Sequence, residues 1–177
     1  MTGSLHVGIA QLRRHPGTRR PWVGTVHLED LVVSASRVPA TAELVVEVEL
    51  EAIPHGLVVE GVVRVPWEGE CRRCLQPVTG IAEARVREVF EQRPTEGETY
   101  PLGVDTVDLT PMVRDAALLA LPLAPLCTSA CRGPAPESFP TGPAAESDRP
   151  AVDPRWAALE GLRFDDRERA VHESEDR

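Results

Sequence analysis

The 177-residue sequence predicts a β-rich α+β fold: an antiparallel meander or partly open barrel covered by one apolar helix, with a flexible linker and a short C-terminal helix behind it. Three observations lead there. Apolar and polar residues alternate with period two in three runs between residues 43 and 90, and turn residues separate those runs. A single helical segment, apolar in its second half, then follows at 110–121. Successive strands followed by one helix suit a sheet with one covered face, not alternating βα units.

Residues 1–10 mix polar and His residues and lack the apolar run of a signal peptide, and no stretch of about 18 apolar residues occurs in the chain. Arg13, Arg14, His15, Arg19 and Arg20 cluster around Pro16 and Gly17, which break regular structure. Residues 22–28 offer a strand. In 43–53, Leu44, Val46, Val48 and Leu50 share one face, and Glu47, Glu49 and Glu51 the other. Pro54, His55 and Gly56 make a turn. Residues 57–67 alternate again, with Leu57, Val59, Val63, Val65 and Trp67 toward the core, so these two strands form a hairpin. Gly61 marks a bulge or a close approach. The third run, 81–90, sets Ala82, Ala84, Val86 and Phe90 against Glu83, Arg85 and Arg87.

After a turn-rich stretch at 92–107, the helix opens with Thr110 as N-cap and Pro111 at the first position, and Pro122 stops it. Residues 116–121 are apolar all round, which predicts a helix buried against the sheet. Five Pro among Ser, Gly and Glu in 132–150 mark a linker without fixed structure. Asp153 and Pro154 begin a short helix carrying Trp156, Leu159 and Leu162 on one side. The chain thus divides into a basic N-terminal arm with a first strand (1–42), a β-rich core (43–131), the linker (132–150), and a short helix with a charged tail (151–177).

Charge follows these divisions. The net −9 resolves into five Arg against two acids in 1–42, seven against fifteen in 43–131 and seven against eleven in 132–177. A chain that coats nucleic acid along its whole length is excluded, because counterion release needs a concentrated positive surface. A small basic patch at the front is not. All 19 basic residues are Arg, and the absence of both Lys and Asn fits a GC-rich coding sequence. Three Trp, three Phe and one Tyr leave no evident platform for stacking single-stranded bases.

Four Cys in a chain without an export signal point to thiols, metal ligands or redox chemistry before a disulfide framework. Cys71 and Cys74 sit two residues apart in the turn between the second and third predicted strands, where a tight knuckle offers two ligands of a tetrahedral metal site. Two more ligands are needed, and Cys127 and Cys131 are the only other Cys. The C-x2-C therefore reads three ways: as half of a zinc site, as reduced thiols surviving from an ancestral one, or as a redox pair whose thiolate Arg72 and Arg73 favour. Against the redox reading, the motif lies on a strand-to-strand turn, not at the helix N-terminus of a thioredoxin-like unit. No phosphate-binding Gly-rich loop, His-Glu zincin pattern or Ser nucleophile motif occurs. No enzyme, small-molecule substrate or membrane partner is expected, and the protein reads as cytoplasmic.

Four segments in order, QLRRHPGTRR, VPWEGECRRCLQPV, VDLTPMVRDAALLALPLAPLC and VDPRWAALEGL, resemble the YceD family, the large ribosomal RNA subunit accumulation proteins, in their versions from GC-rich bacteria. The resemblance covers roughly 5–131 and returns at 152–162. It implies a non-enzymatic role in accumulation or processing of large-subunit ribosomal RNA, with a small zinc-ribbon protein of the large subunit as an associate. Cys71, Cys74, Cys127 and Cys131 match Cys of the family. Many relatives continue into a further Leu-Cys-Pro-x-Cys-Gly knuckle, where this chain reads RGPAPESFPTGPAAESDRP. A metal held by the first and last pairs of the family is then impossible here, whereas a site that recruits Cys127 and Cys131 remains open.

The resulting expectation is an assembly factor that binds large-subunit ribosomal RNA or its precursor, a large-subunit ribosomal protein, or both. Arg13, Arg14, Arg19, Arg20, Arg72 and Arg73 would make the RNA contacts, since the planar guanidinium bonds phosphate bidentately. The acidic strand faces would serve a basic protein. A protein-interaction adaptor without RNA contact, docking through Trp156, Leu159 and Leu162, is the alternative; a thiol oxidoreductase using Cys71 and Cys74 is a more distant one.

Overall fold

The computed structural model describes residues 4–138 and 155–156. The chain falls into two units, 1–140 and 141–177, and every element that follows belongs to the first. In chain order these are β1 (His6–Gly8), a turn of 3-10 helix (Leu12–Arg14), β2 (Arg19–Val26), β3 (Val32–Val33), β4 (Ser36–Arg37), β5 (Leu44–Ile53), β6 (Gly56–Glu70), β7 (Pro77–Glu91), β8 (Tyr100–Pro101), β9 (Thr106–Asp108) and α1 (Thr110–Ala120).

Three long antiparallel strands form the frame. The β5–β6 ladder runs in unbroken register from Val45↔Arg64 to Ile53↔Gly56, and the β6–β7 ladder from Gly56↔Glu91 to Glu70↔Pro77. The even period delivers the alternation read from the sequence. Leu44, Val46, Val48 and Leu50 are buried on one side, and Leu57, Val59, Val63 and Val65 meet them from β6. β2 pairs with the outer edge of β5, and the β3–β4 hairpin joins the far end of β6. β8 adds a short parallel pairing to β7 at Phe90 and Glu91, while β1 and β9 pair separately. The result is an antiparallel sheet that does not close into a barrel among the described residues.

Gly61 is a close approach and not a bulge. A Cβ there would lie 2.1 Å from the Glu47 carbonyl oxygen and 2.7 Å from Val48 Cα, and the register passes through it without a slip.

The helix differs from expectation in two respects. The N-cap position falls on Leu109, whose side chain makes no cap bond, and not on Thr110, which is already helical; the Thr110 N–H donates instead to Asp108 Oδ1 at 2.9 Å. Nor is its second half buried all round. Met112, Val113, Ala116 and Ala117 pack on the sheet, but Leu119 is 88% exposed. One sheet can cover only one side of a helix. Leu121 turns extended ahead of Pro122 and returns to the core.

The strand expected at 22–28 starts earlier, at Arg19, and leaves Leu28 outside it. The N-terminal segment is built into the same core through Leu5, Ile9, Leu12 and Leu31. Short strands at β1, β3, β4, β8 and β9 carry too few residues to show a period. Of the expected linker, residues 132–138 are described and include a turn closed by the Ser138 N–H on the Ala135 carbonyl. The rest of the linker and the helix expected around Leu159 and Leu162 lie outside the described residues; in the second unit, Trp156 is exposed.

Candidate metal centre and arginine surface

The β6–β7 hairpin ends in the Cys71–Cys74 knuckle. The Cys71 N–H donates to the Gln76 carbonyl at 2.9 Å and the Leu75 N–H to the Cys71 carbonyl at 2.8 Å. Leu75 takes the left-handed conformation, φ 60°, that this tight return requires. Beyond α1, the chain is drawn back to the same place. Buried Ser36 donates its hydroxyl to the Pro122 carbonyl at 2.8 Å, and the Arg72 N–H donates to the Pro125 carbonyl at 2.9 Å. A turn closed by the Cys131 N–H on the Thr128 carbonyl then presents Cys127 and Cys131 to the knuckle.

All four sulfurs lie within 4.8 Å of one another. Cys71 Sγ is 3.8 Å from Cys131 Sγ, and Cys74 Sγ is 3.6 Å from Cys127 Sγ; none is in a disulfide. Thiolates about 2.3 Å from one tetrahedral zinc stand about 3.8 Å apart, so the cluster has the size such an ion needs. The donor set also suits it. The backbone N–H groups of Cys74 and Cys127, joined by that of Arg73, hold the Cys71 thiol down to about 6, against its burial. Neighbouring sulfurs act oppositely on Cys127, where Cys131 and then Cys74 push the thiol up to about 12. At Cys74 the Gln76 N–H favours the thiolate, but burial and the sulfurs of Cys71 and Cys131 outweigh it and the thiol is raised. Crowded thiols that resist joint ionisation are what a divalent cation relieves. Residues Cys71, Cys74, Cys127 and Cys131 thus fit zinc, which would act as a structural crosslink.

The redox alternative meets a steric obstacle. Cys71 has the lowered thiol that chemistry calls for, but through backbone N–H groups and not the charges of Arg72 and Arg73. It is also fully buried, so an external disulfide cannot reach its sulfur.

The six arginines fall into separate places. Arg73 directs its guanidinium to the carbonyls of Cys131 at 2.8 Å and Ser129 at 3.4 Å, clamping the second Cys segment onto the first. Arg72 is exposed and has no side-chain partner among the described residues. At the opposite end of the sheet, Arg14, His15, Arg19 and Arg20 line an open cleft of about 460 Å³ together with Gln11, Leu12 and Thr18. Arg19 pairs there with Glu49 and Glu51, Arg20 donates to the Gly8 carbonyl, and Arg13 reaches the carbonyls of Gly103 and Val104. Arg14 is exposed and has no such partner among the described residues. The register sets the separation: Arg19 stands opposite Glu51, beside the Gly56 end of β6, and the knuckle follows Glu70. A straight strand of β6's 15 residues spans roughly 45 to 50 Å.

A β-rich domain whose long hairpin carries a cluster of four Cys at its tip defines the class of protein. The family model for YceD, large ribosomal RNA subunit accumulation protein, matches residues 59–163, and the chain belongs to that family. Uncharacterised proteins of Mycobacterium tuberculosis and Mycobacterium bovis are each 32% identical to it over 164 residues, covering 88% of this chain and 79% of theirs. One of Mycobacterium leprae is 31% identical over 170 residues, covering 85% and 74%. No solved structure matches the chain. Among the described residues no helix is long and apolar enough to cross a membrane.

Proposed function

We propose that the protein is a non-enzymatic cytoplasmic factor in the accumulation of large-subunit ribosomal RNA, acting by binding that RNA or its precursor. The family match over residues 59–163 carries the ribosomal part of this reading. The cleft of Arg14, His15, Arg19 and Arg20 supports the RNA contact, because Arg14 is exposed there without a partner among the described residues and Arg20 holds only a neutral carbonyl, while Glu49 and Glu51 already offset Arg19. Arg72 adds a second, distant contact at the hairpin tip. Arg73 serves the cluster and not the RNA, and the four Cys hold a structural zinc that fixes the tip. A basic ribosomal protein meets the acidic side of the sheet.

Crosslinking to RNA in cells tests the reading. Replacing Arg14 and Arg72 with Ser removes two exposed charges that hold no described contact, so the fold should persist while crosslinks to large-subunit RNA fall several-fold. Unchanged crosslinks would overturn the RNA role. Affinity purification with and without nuclease separates the alternatives: RNA-bridged partners are lost on digestion, whereas an adaptor retains its ribosomal protein.

A further inference from the structure

One long edge of the sheet is open. β7 bonds to β6 along its full length, but among the described residues its other side pairs only with β8, at Phe90 and Glu91. Among the described residues, the backbone groups of residues 77–89 on that side have no strand partner. An edge of this length is a template for another extended chain unless something covers it. Here a groove runs beside it, between β7 and α1, of about 290 Å³. Its floor is apolar, with Ala84, Val86, Met112, Ala116 and Ala120, and Leu119 stands at its rim.

The charges in the groove indicate what it accepts. Glu83, Glu88 and Asp115 line it, against Arg85 alone. Glu83 is matched by Arg64 on the neighbouring strand. Glu88 and Asp115 have no cation within ion-pair distance among the described residues; Asp115 accepts only the Tyr100 hydroxyl, at 2.8 Å. A second copy paired along this edge would bring Glu83, Glu88 and Glu91 together with Arg85 and Arg87, and so supplies no excess of positive charge. An extended basic segment would add its backbone to β7 and place alternate cationic side chains against Glu88 and Asp115.

We propose that the open edge of β7 binds an extended Arg-rich or Lys-rich segment of a partner protein by strand addition. This deepens the ribosomal reading, on which it rests for its biological partner, by naming the surface that meets a basic protein. Recognition then divides in two: backbone bonds to residues 77–89 supply affinity without sequence preference, and the two acids select for positive side chains.

The probe is a synthetic amidated peptide of alternating Arg and Val, titrated into the full chain by fluorescence anisotropy. The expected result is saturable binding, weakened at least tenfold when the peptide is N-methylated at alternate residues, which keeps its charge and removes strand donors. Replacing Glu88 with Gln and Asp115 with Asn should weaken it by a similar factor. Both surface changes leave the core untouched. Hydrogen exchange should find the outward amides of residues 78–89 fast in the free chain and slowed by the peptide. Equal binding of the N-methylated peptide would reduce the effect to charge attraction and overturn the proposal. Protection of those amides before peptide is added would also overturn it, by showing the edge already taken by another part of the chain or a second copy. Peptide binding that persists when ribosomal association is absent would instead overturn the ribosomal reading and leave this one standing.

Discussion

Arg72 and Arg73 are neighbours in a four-residue knuckle, yet the fold gives them different tasks. Arg73 bonds the carbonyls of Ser129 and Cys131, while Arg72 faces solvent with only its backbone N–H engaged, on Pro125. Replacing Arg73 with Ala should therefore lower zinc affinity by about tenfold, as loss of an outer-shell tether commonly does, whereas the same change at Arg72 should leave it unaltered. Competition with a chromophoric chelator measures both, and equal effects would contradict the assignment. The sequence shows that both arginines flank a Cys pair but cannot show which one turns inward. That depends on carbonyls more than 50 residues away, brought close only by the segment after α1. Tyr100 is a second case. Its hydroxyl is pushed above the ordinary phenolic range, first by burial and then by its bond to Asp115. The folded state thus favours the neutral ring. Its contribution is fully present below the unfolded value, about 10, and is lost as pH rises through the folded one. As the chain has a single Tyr, tyrosinate absorbance reports this group alone. Ionisation of the folded chain in buffer should come at higher pH than in denaturant, where it lies near pH ~10; a folded chain titrating near 10 would refute the effect of burial and of the Asp115 bond.

Among the elements, β5, β6 and β7 are the most legible, because strict alternation over ten or more residues leaves one face for the core and fixes register at the same time. Gly61 shows the limit of that legibility. Its position within an alternating strand signals something unusual, and two backbone geometries satisfy the signal; the unbroken ladder selects close approach. Gly61→Ala would force a methyl group into the Glu47 carbonyl and Val48 Cα, which belong to backbone and cannot rotate away. We expect a loss of more than about 3 kcal/mol in urea unfolding, well beyond the usual cost of a single substitution. A loss under about 1 kcal/mol would mean that β5 can shift to make room. The helix was legible in place and length but not in burial. Its apolar run does not reveal that one sheet covers one side, so Leu119 is left on the rim of the β7 groove. Two-residue and three-residue strands such as β4 and β9 fall below any detectable period, yet β4 is what delivers Ser36 to the Pro122 carbonyl.

The four Cys combine these local features into one arrangement. The hairpin supplies Cys71 and Cys74, α1 sets the direction of the chain leaving the core, and the bonds at Pro122, Pro125 and Cys131 steer Cys127 and Cys131 to within 4.8 Å of the first pair. A spacing of C-x3-C without a compact second knuckle gave little sign of this, because the missing loop geometry is replaced by long-range bonds from Ser36, Arg72 and Arg73. The sheet does not depend on the cluster for its core, whose largest side chains lie along β5, β6, β7 and α1 and at Ile9, Leu31 and Leu109 in the segments that flank them. Metal removal should accordingly loosen the tip without dissolving the fold. With free zinc at 100 times its Kd, binding to the folded state alone adds about 2.7 kcal/mol, and a chelator should remove about that much from the unfolding free energy. Hydrogen exchange should then accelerate at the Arg72 and Cys131 amides, which hold the Pro125 and Thr128 carbonyls, while the β6–β7 ladder stays protected. Cys131→Ser should reproduce this in the presence of zinc. Unchanged stability and exchange after chelation would mean that the bonds of Ser36, Arg72 and Arg73 hold the cluster closed without an ion; collapse of the ladder protection would mean that the tip nucleates the sheet.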